Sequence, residues 1–245
     1  MSRGLLIENY RGRPIPRTLG LWLAAAAALS AVLVAVIGGR VRAPGWGATA
    51  GSLLVGAAGL VDDLGPPGPR GLANHLRALA AGHVTTGMVK VIVIVGASVV
   101  VVALAPSASG AATVAGVLLI AASANVWNGL DVRPGRALKF GLVGMLALVG
   151  IDLALMPTLP GIAIGALAAL PADLHERAML GDSGSNLLGF TIGLGLYLVL
   201  PDPAIPLAAA AAVALNVVAD TITFSRAIDA VPPLRWFDRL GRLPA

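Results

Sequence analysis

Three short segments hold most of the residues with which this chain could do polar chemistry. Asp62 and Asp63 stand side by side at the end of an apolar run, Gly59-Leu60-Val61-Asp62-Asp63. A second segment runs Asn125-Val126-Trp127-Asn128-Gly129-Leu130-Asp131. The third, Met179-Leu180-Gly181-Asp182-Ser183-Gly184-Ser185-Asn186, carries Asp182 between glycines. Residues three apart share a face of a helix, so Asn125 and Asn128 can offer amides to one ligand, and Asp131 joins them if the helix continues. Glycine has no side chain to obstruct a ligand, so a turn around Asp182 could bring Ser183 and Gly184 close to one and aim backbone amides at a phosphate oxygen. Carboxylate and amide oxygens in a chain without cysteine favour a hard cation, Mg²⁺ or alternatively Mn²⁺, over zinc or copper. Magnesium in turn points to phosphates.

The elements that must position these residues are membrane helices. Of 245 residues, 57% are hydrophobic and 12% charged, and the mean hydropathy of +0.88 lies far from that of a soluble globular domain. The apolar runs are continuous and rich in Ala, Leu and Val, without the alternation of a barrel wall, which sets the fold class as all-α, a polytopic transmembrane helical bundle in one integral-membrane domain over 1–245. Eight spans are expected, near 18–38, 46–61, 84–105, 110–127, 137–156, 158–172, 186–200 and 204–219. With the N-terminus cytoplasmic, fifteen of the seventeen Lys and Arg fall on the inner side and only Arg40 and Arg42 outside, as the positive-inside rule requires. All three polar segments then face the cytoplasm, from the plasma (inner) membrane. The outer connections, such as Gly39 to Gly45, are short and plain. A net charge of +5 without a basic stripe and interleaved aromatics argues against a nucleic-acid partner.

In this order, and between spans, the segments Val-Asp-Asp, Asn-x-x-Asn-x-x-Asp and Met-Leu-Gly-Asp-Ser-Gly-Ser resemble the polyprenyl-phosphate N-acetylhexosamine-1-phosphate transferases, relatives of phospho-N-acetylmuramoyl-pentapeptide transferase. The N-terminal Asn9-Tyr10-Arg11-Gly12-Arg13-Pro14-Ile15-Pro16 is similar to the segment before that family's second helix. The resemblance implies transfer of a sugar-1-phosphate from a UDP-sugar to polyprenyl phosphate, with release of UMP, in peptidoglycan or other cell-wall synthesis. It implies catalytic roles for Asp62, Asp63 and Asp182, with magnesium on Asp182 and Asp63. Lys90, Asn125, Asn128, Asp131, Ser183 and Gly184 would then contact substrate. Membrane lipids surround such a protein, and a homodimer stays open.

The sequence also departs from that pattern. Where the family continues with a Gly and a second Asp, this chain has Val132-Arg133-Pro134-Gly135, and its His75, His83 and His175 form no cluster. A catalytically inactive homologue that binds the lipid carrier or scaffolds envelope assembly is therefore the alternative. A transporter is disfavoured, because the ionisable residues sit at span ends and not at mid-membrane. Plainer readings stand beside the functional ones. Asp62 and Asp63 could be a solvated helix end, Asn125 and Asn128 helix-to-helix hydrogen bonds, Gly181 to Ser185 an ordinary turn and Lys90 a snorkelling anchor. The tail Pro232 to Leu240 reads as an amphipathic interfacial segment with Trp236 and Phe237 toward lipid.

Overall fold

Long runs of Ala, Leu, Val and Gly leave the backbone no polar side chain to compete for its hydrogen bonds, and helices close over them in the computed structural model. Residues 5–38, 40–66, 68, 71–107 and 109–244 are described, so Gly39 of the outer connection and Arg3 and Arg70, counted among the inner cations, lie outside them. The helices are α1 Leu19–Ile37, α2 Ala43–Leu64, α3 Leu72–Ala80, α4 Thr86–Leu104, α5 Gly110–Leu130, α6 Arg136–Leu146, α7 Leu159–Leu174, α8 Gly181–Val199, α9 Ile205–Thr221, α10 Phe224–Ala230 and α11 Pro232–Arg239. A hairpin of β1 Leu6–Glu8 and β2 Pro14–Pro16 precedes them, in the register Leu6 to Pro16 and Glu8 to Pro14.

Among the described residues, four stretches are long and apolar enough to cross a membrane: Leu19–Ile37, Thr86–Leu104, Gly110–Leu130 and Asp202–Thr221. Their outward surfaces stay apolar, with Trp22, Val36, Ile37, Ile92, Val114 and Leu207 all exposed, which suits contact with hydrocarbon. The span expected over 137–156 is not one helix. Helix α6 ends at Leu146, and turns carry the chain through Gly150, at φ +94°, to Met156. Eleven helical residues reach roughly 16 Å, about half of a bilayer core.

Helix α8 is the hub. Nearly all of it is buried, and it packs on α1, α2, α5 and α6. Its approach to α1 is close because Gly184 meets Gly20, where an added side chain would strike the opposing backbone. Contacts at both ends show the helices alternating in direction. At one end Arg42, before α2, pairs with Asp152 at 3.2 Å, and the Ser109 amide, before α5, donates to Asp202. The starts of α1, α4, α6 and α8 gather at the other end with the last turns of α2, α5, α7 and α9. That end carries all three polar segments.

Candidate active site at one end of the bundle

Asp62 and Asp63 are neighbours in sequence, but successive side chains on a helix diverge by about 100°, and the two carboxylates do different things. Asp63 is buried and points at the start of α8. It accepts the Asp182 amide at 3.1 Å, the Ser183 amide at 3.0 Å and Arg17 Nη1 at 2.9 Å. Arg17 Nη2 also donates to the Asp63 carbonyl at 2.6 Å. Asp63 thus satisfies the amides that a helix start leaves without intrahelical partners. Gly181 makes this approach feasible: its φ is +66°, and a Cβ there would lie 2.7 Å from Asp63 Oδ2.

Asp62 faces the other way, toward α4. It accepts Thr86 Oγ1 at 2.6 Å and pairs with Lys90 Nζ at 2.6 Å. Lys90 is buried, and the same ammonium closes on the Asp182 carboxylate. Three helices therefore deliver one cation and two carboxylates to a single point: α2 brings Asp62, α4 brings Lys90 and α8 brings Asp182. Lys90 also opens onto a cavity of about 340 Å³ between α4, α5 and α9. The cavity is polar near Lys90, Asn128, Asn216 and Asp220, and apolar along Val91, Ile94 and Val95.

The remaining candidates divide. Asn128 lines the Lys90 cavity and accepts Ser185 Oγ at 3.3 Å. Asn125 lines it too, and its amide donates to Asn216 of α9 at 2.5 Å, a helix-to-helix bond. Asp131 follows α5 as its C-cap and turns into a separate cavity of about 210 Å³, shared with Asn9, Arg133, Asp173 and Glu176. Burial raises its pKa well above the usual carboxylate range, and the negative charges of Asp173, Asp182 and Asp63 add to the shift. Ser183 and Gly184 are buried against α1 in the first turn of α8. Sequence reasoning expects a turn with amides free for phosphate; the structure has a helix start whose amides already serve Asp63.

Several residues of this region escape the sequence reading. Arg17, Thr86 and Asp173 lie outside the three motifs, and Asp173 is buried with Oδ2 unpaired in its cavity. Glu176 binds the hairpin, accepting Asn9 Nδ2 at 2.7 Å and Tyr10 Oη at 3.1 Å, and pairing with Arg11 at 3.1 Å. Its φ of +56° was a signal no composition could give.

The structure also bears on the expected magnesium set. Among the described residues, no group of three His, Cys, Asp or Glu side chains is arranged to hold a metal ion. The carboxylate beside Asp182 at Lys90 is Asp62, whereas the Asp63 oxygens are engaged by Arg17 and the α8 amides. Two carboxylates that already share a cation fit a magnesium ion drawing its other ligands from phosphate and water; they do not make an all-protein cage. No family model, no curated protein and no solved structure matches the chain.

Proposed function

We propose that this chain transfers a sugar-1-phosphate, of the N-acetylhexosamine type, from a UDP-sugar to polyprenyl phosphate, releasing UMP at the cytoplasmic face of the plasma (inner) membrane. The observation that carries the reading is the convergence of Asp62 and Asp182, from different helices, on the buried Lys90 ammonium at the mouth of a cavity. Ions at a helix end near hydrocarbon are costly unless paired, and a chain that gathers a buried ammonium and two half-buried carboxylates there has an anionic or cationic ligand to meet. The alternation of the helices and the ordered resemblance of the motifs support eight passes with the N-terminus inside, α6 and the turns after it making one pass together.

In this reading a carrier phosphate oxygen forms a bond to the β-phosphorus of the UDP-sugar, and the bond from that phosphorus to the bridging oxygen breaks, so UMP leaves. Asp62 and Asp182 would hold the magnesium ion, which supplies charge neutralisation on the pyrophosphate. Lys90 holds the carrier phosphate, its ammonium exchanging carboxylate oxygens for phosphate oxygens. The apolar wall of Val91, Ile94 and Val95 receives the first isoprene units, which keeps the lipid's reactive end beside the cation. Asp63 positions Asp182 by fixing the start of α8. A lapsed homologue that only binds the carrier is the second reading, favoured by Pro134 standing where the family has its second aspartate.

Mg²⁺-dependent thermal stabilisation of the detergent-solubilised protein by UDP-N-acetylhexosamines tests the binding half of the proposal. The expected result is a saturable rise that Asp182→Ala abolishes; a folded protein indifferent to every UDP-sugar speaks against it.

A further inference from the structure

We infer that the arginine-lined cavity between the N-terminal hairpin and the C-terminal tail binds a phosphate-bearing anion, at a site separate from the Lys90 cluster. The cavity measures about 490 Å³ and is bordered by Arg11, Arg133, Arg136, Arg239 and Arg242 together with Tyr10. Among the described residues, three carboxylates pair with these five guanidiniums and do not balance them. Asp229 pairs with Arg239 at 3.1 Å, and Glu176 with Arg11 at 3.1 Å. Asp238 alone serves two arginines, Arg136 at 2.8 Å and Arg242. Among the described residues Arg133 has no carboxylate partner; its guanidinium lies over the Tyr10 ring, 4.5 Å from the centroid.

Stacking on an aromatic face holds a guanidinium flat and leaves its N–H edge free, the arrangement suited to a bidentate phosphate contact. Burial draws the Arg242 pKa down; Asp238 opposes that shift, while the charges of Arg136 and Arg133 add to it, so a second anion here offsets repulsion among the guanidiniums. The walls are also braced. Arg136 is 2% exposed and fixed by two bonds to Asp238 and one to Ser225, while Arg242 Nε donates to the Pro134 carbonyl at 2.8 Å. None of these residues touches Asp62, Lys90 or Asp182. Two sources present the same chemistry: a soluble phosphate, or an anionic lipid headgroup reached past the exposed Leu234, Trp236 and Leu240 of the tail.

The test is thermal unfolding of the full chain in detergent micelles. Micelles doped with phosphatidylglycerol are compared with phosphatidylcholine, and inorganic pyrophosphate is titrated in the phosphatidylcholine arm. A saturable rise is expected in one anionic arm, weakened roughly tenfold or more in Arg133→Ala and partly restored in Arg133→Lys. A rise confined to phosphatidylglycerol assigns the lipid headgroup, and a rise with pyrophosphate assigns the soluble anion. No rise in either arm, or one unchanged by Arg133→Ala, overturns the inference. So does a rise that is lost in Lys90→Ala and kept in Arg133→Ala, because the anion then sits at the other cluster.

Discussion

Substituting Asp62 and Asp63 separately should give opposite phenotypes, although the residues are adjacent and chemically identical. Asp63→Ala removes the acceptor for two α8 amides and for Arg17 Nη1, all in a buried setting. Loss of a helix cap costs about 1 kcal/mol, and breaking a buried ion pair about 3–5 kcal/mol. The two overlap here, because one carboxylate does both, and Arg17 keeps its bond to the Asp63 carbonyl. About 3 kcal/mol is therefore the reasonable sum, which for a chain of this length lowers an apparent Tm by roughly 6–12 °C. Asp62→Ala instead leaves Lys90 paired with Asp182 and touches no helix cap. Its Tm should fall by a third of that or less, while UMP release disappears. Differential scanning fluorimetry on both variants in one detergent, alongside a UMP-release assay, reads the two outcomes together. Equal destabilisation by the two substitutions, or a full-strength Asp62→Ala enzyme, would refute the division of labour between them.

Other consequences concern the tail and the second cavity. Arg136→Ala should leave the buried Asp238 carboxylate to Arg242 alone and loosen α11, which Lys139 also holds by donating to the Phe237, Asp238 and Leu240 carbonyls at 2.6–2.8 Å. Faster hydrogen exchange confined to 224–244 is the expected readout, and unchanged protection there argues against the clamp. Asp131 has a folded pKa raised by burial and by Asp173, Asp182 and Asp63, so its contribution to stability is full below the unfolded value of about 3.9 and is lost as pH rises through the folded value. Asp131→Asn should accordingly be more stable than wild type near neutral pH, with the gap closing on acidification. A gap independent of pH contradicts that assignment.

Helix positions were largely legible because composition alone decides them. The expected spans 18–38, 84–105 and 110–127 fall on Leu19–Ile37, Thr86–Leu104 and Gly110–Leu130. The failures have physical causes. Residues 147–156 are apolar enough to pass for helix, but Gly150 takes a left-handed conformation and the chain turns. The start of α8 reads as a loop because Gly-Asp-Ser-Gly-Ser is poor helix sequence; its cap comes from Asp63, more than a hundred residues away, which no local pattern can announce. The three motifs do collect around the first turn of α8, as one proposed site requires. They do not share one pocket, since Asp63 is consumed as a cap and Asp131, although close enough to feel Asp63 and Asp182, opens on a second cavity with Asp173. The tail is amphipathic in sequence, yet Phe237 packs on Phe140, with ring centroids 5.3 Å apart, and only Trp236 of that pair is exposed.

The most direct measurement is transfer itself, with radiolabelled UDP-N-acetylglucosamine and its N-acetylhexosamine analogues, polyprenyl phosphate and Mg²⁺ supplied to the purified chain. Label is expected in the lipid phase with UMP released in equal amount, both lost in Lys90→Ala and Asp182→Ala. Folded protein that yields no lipid-linked product from any of these donors would contradict the proposal.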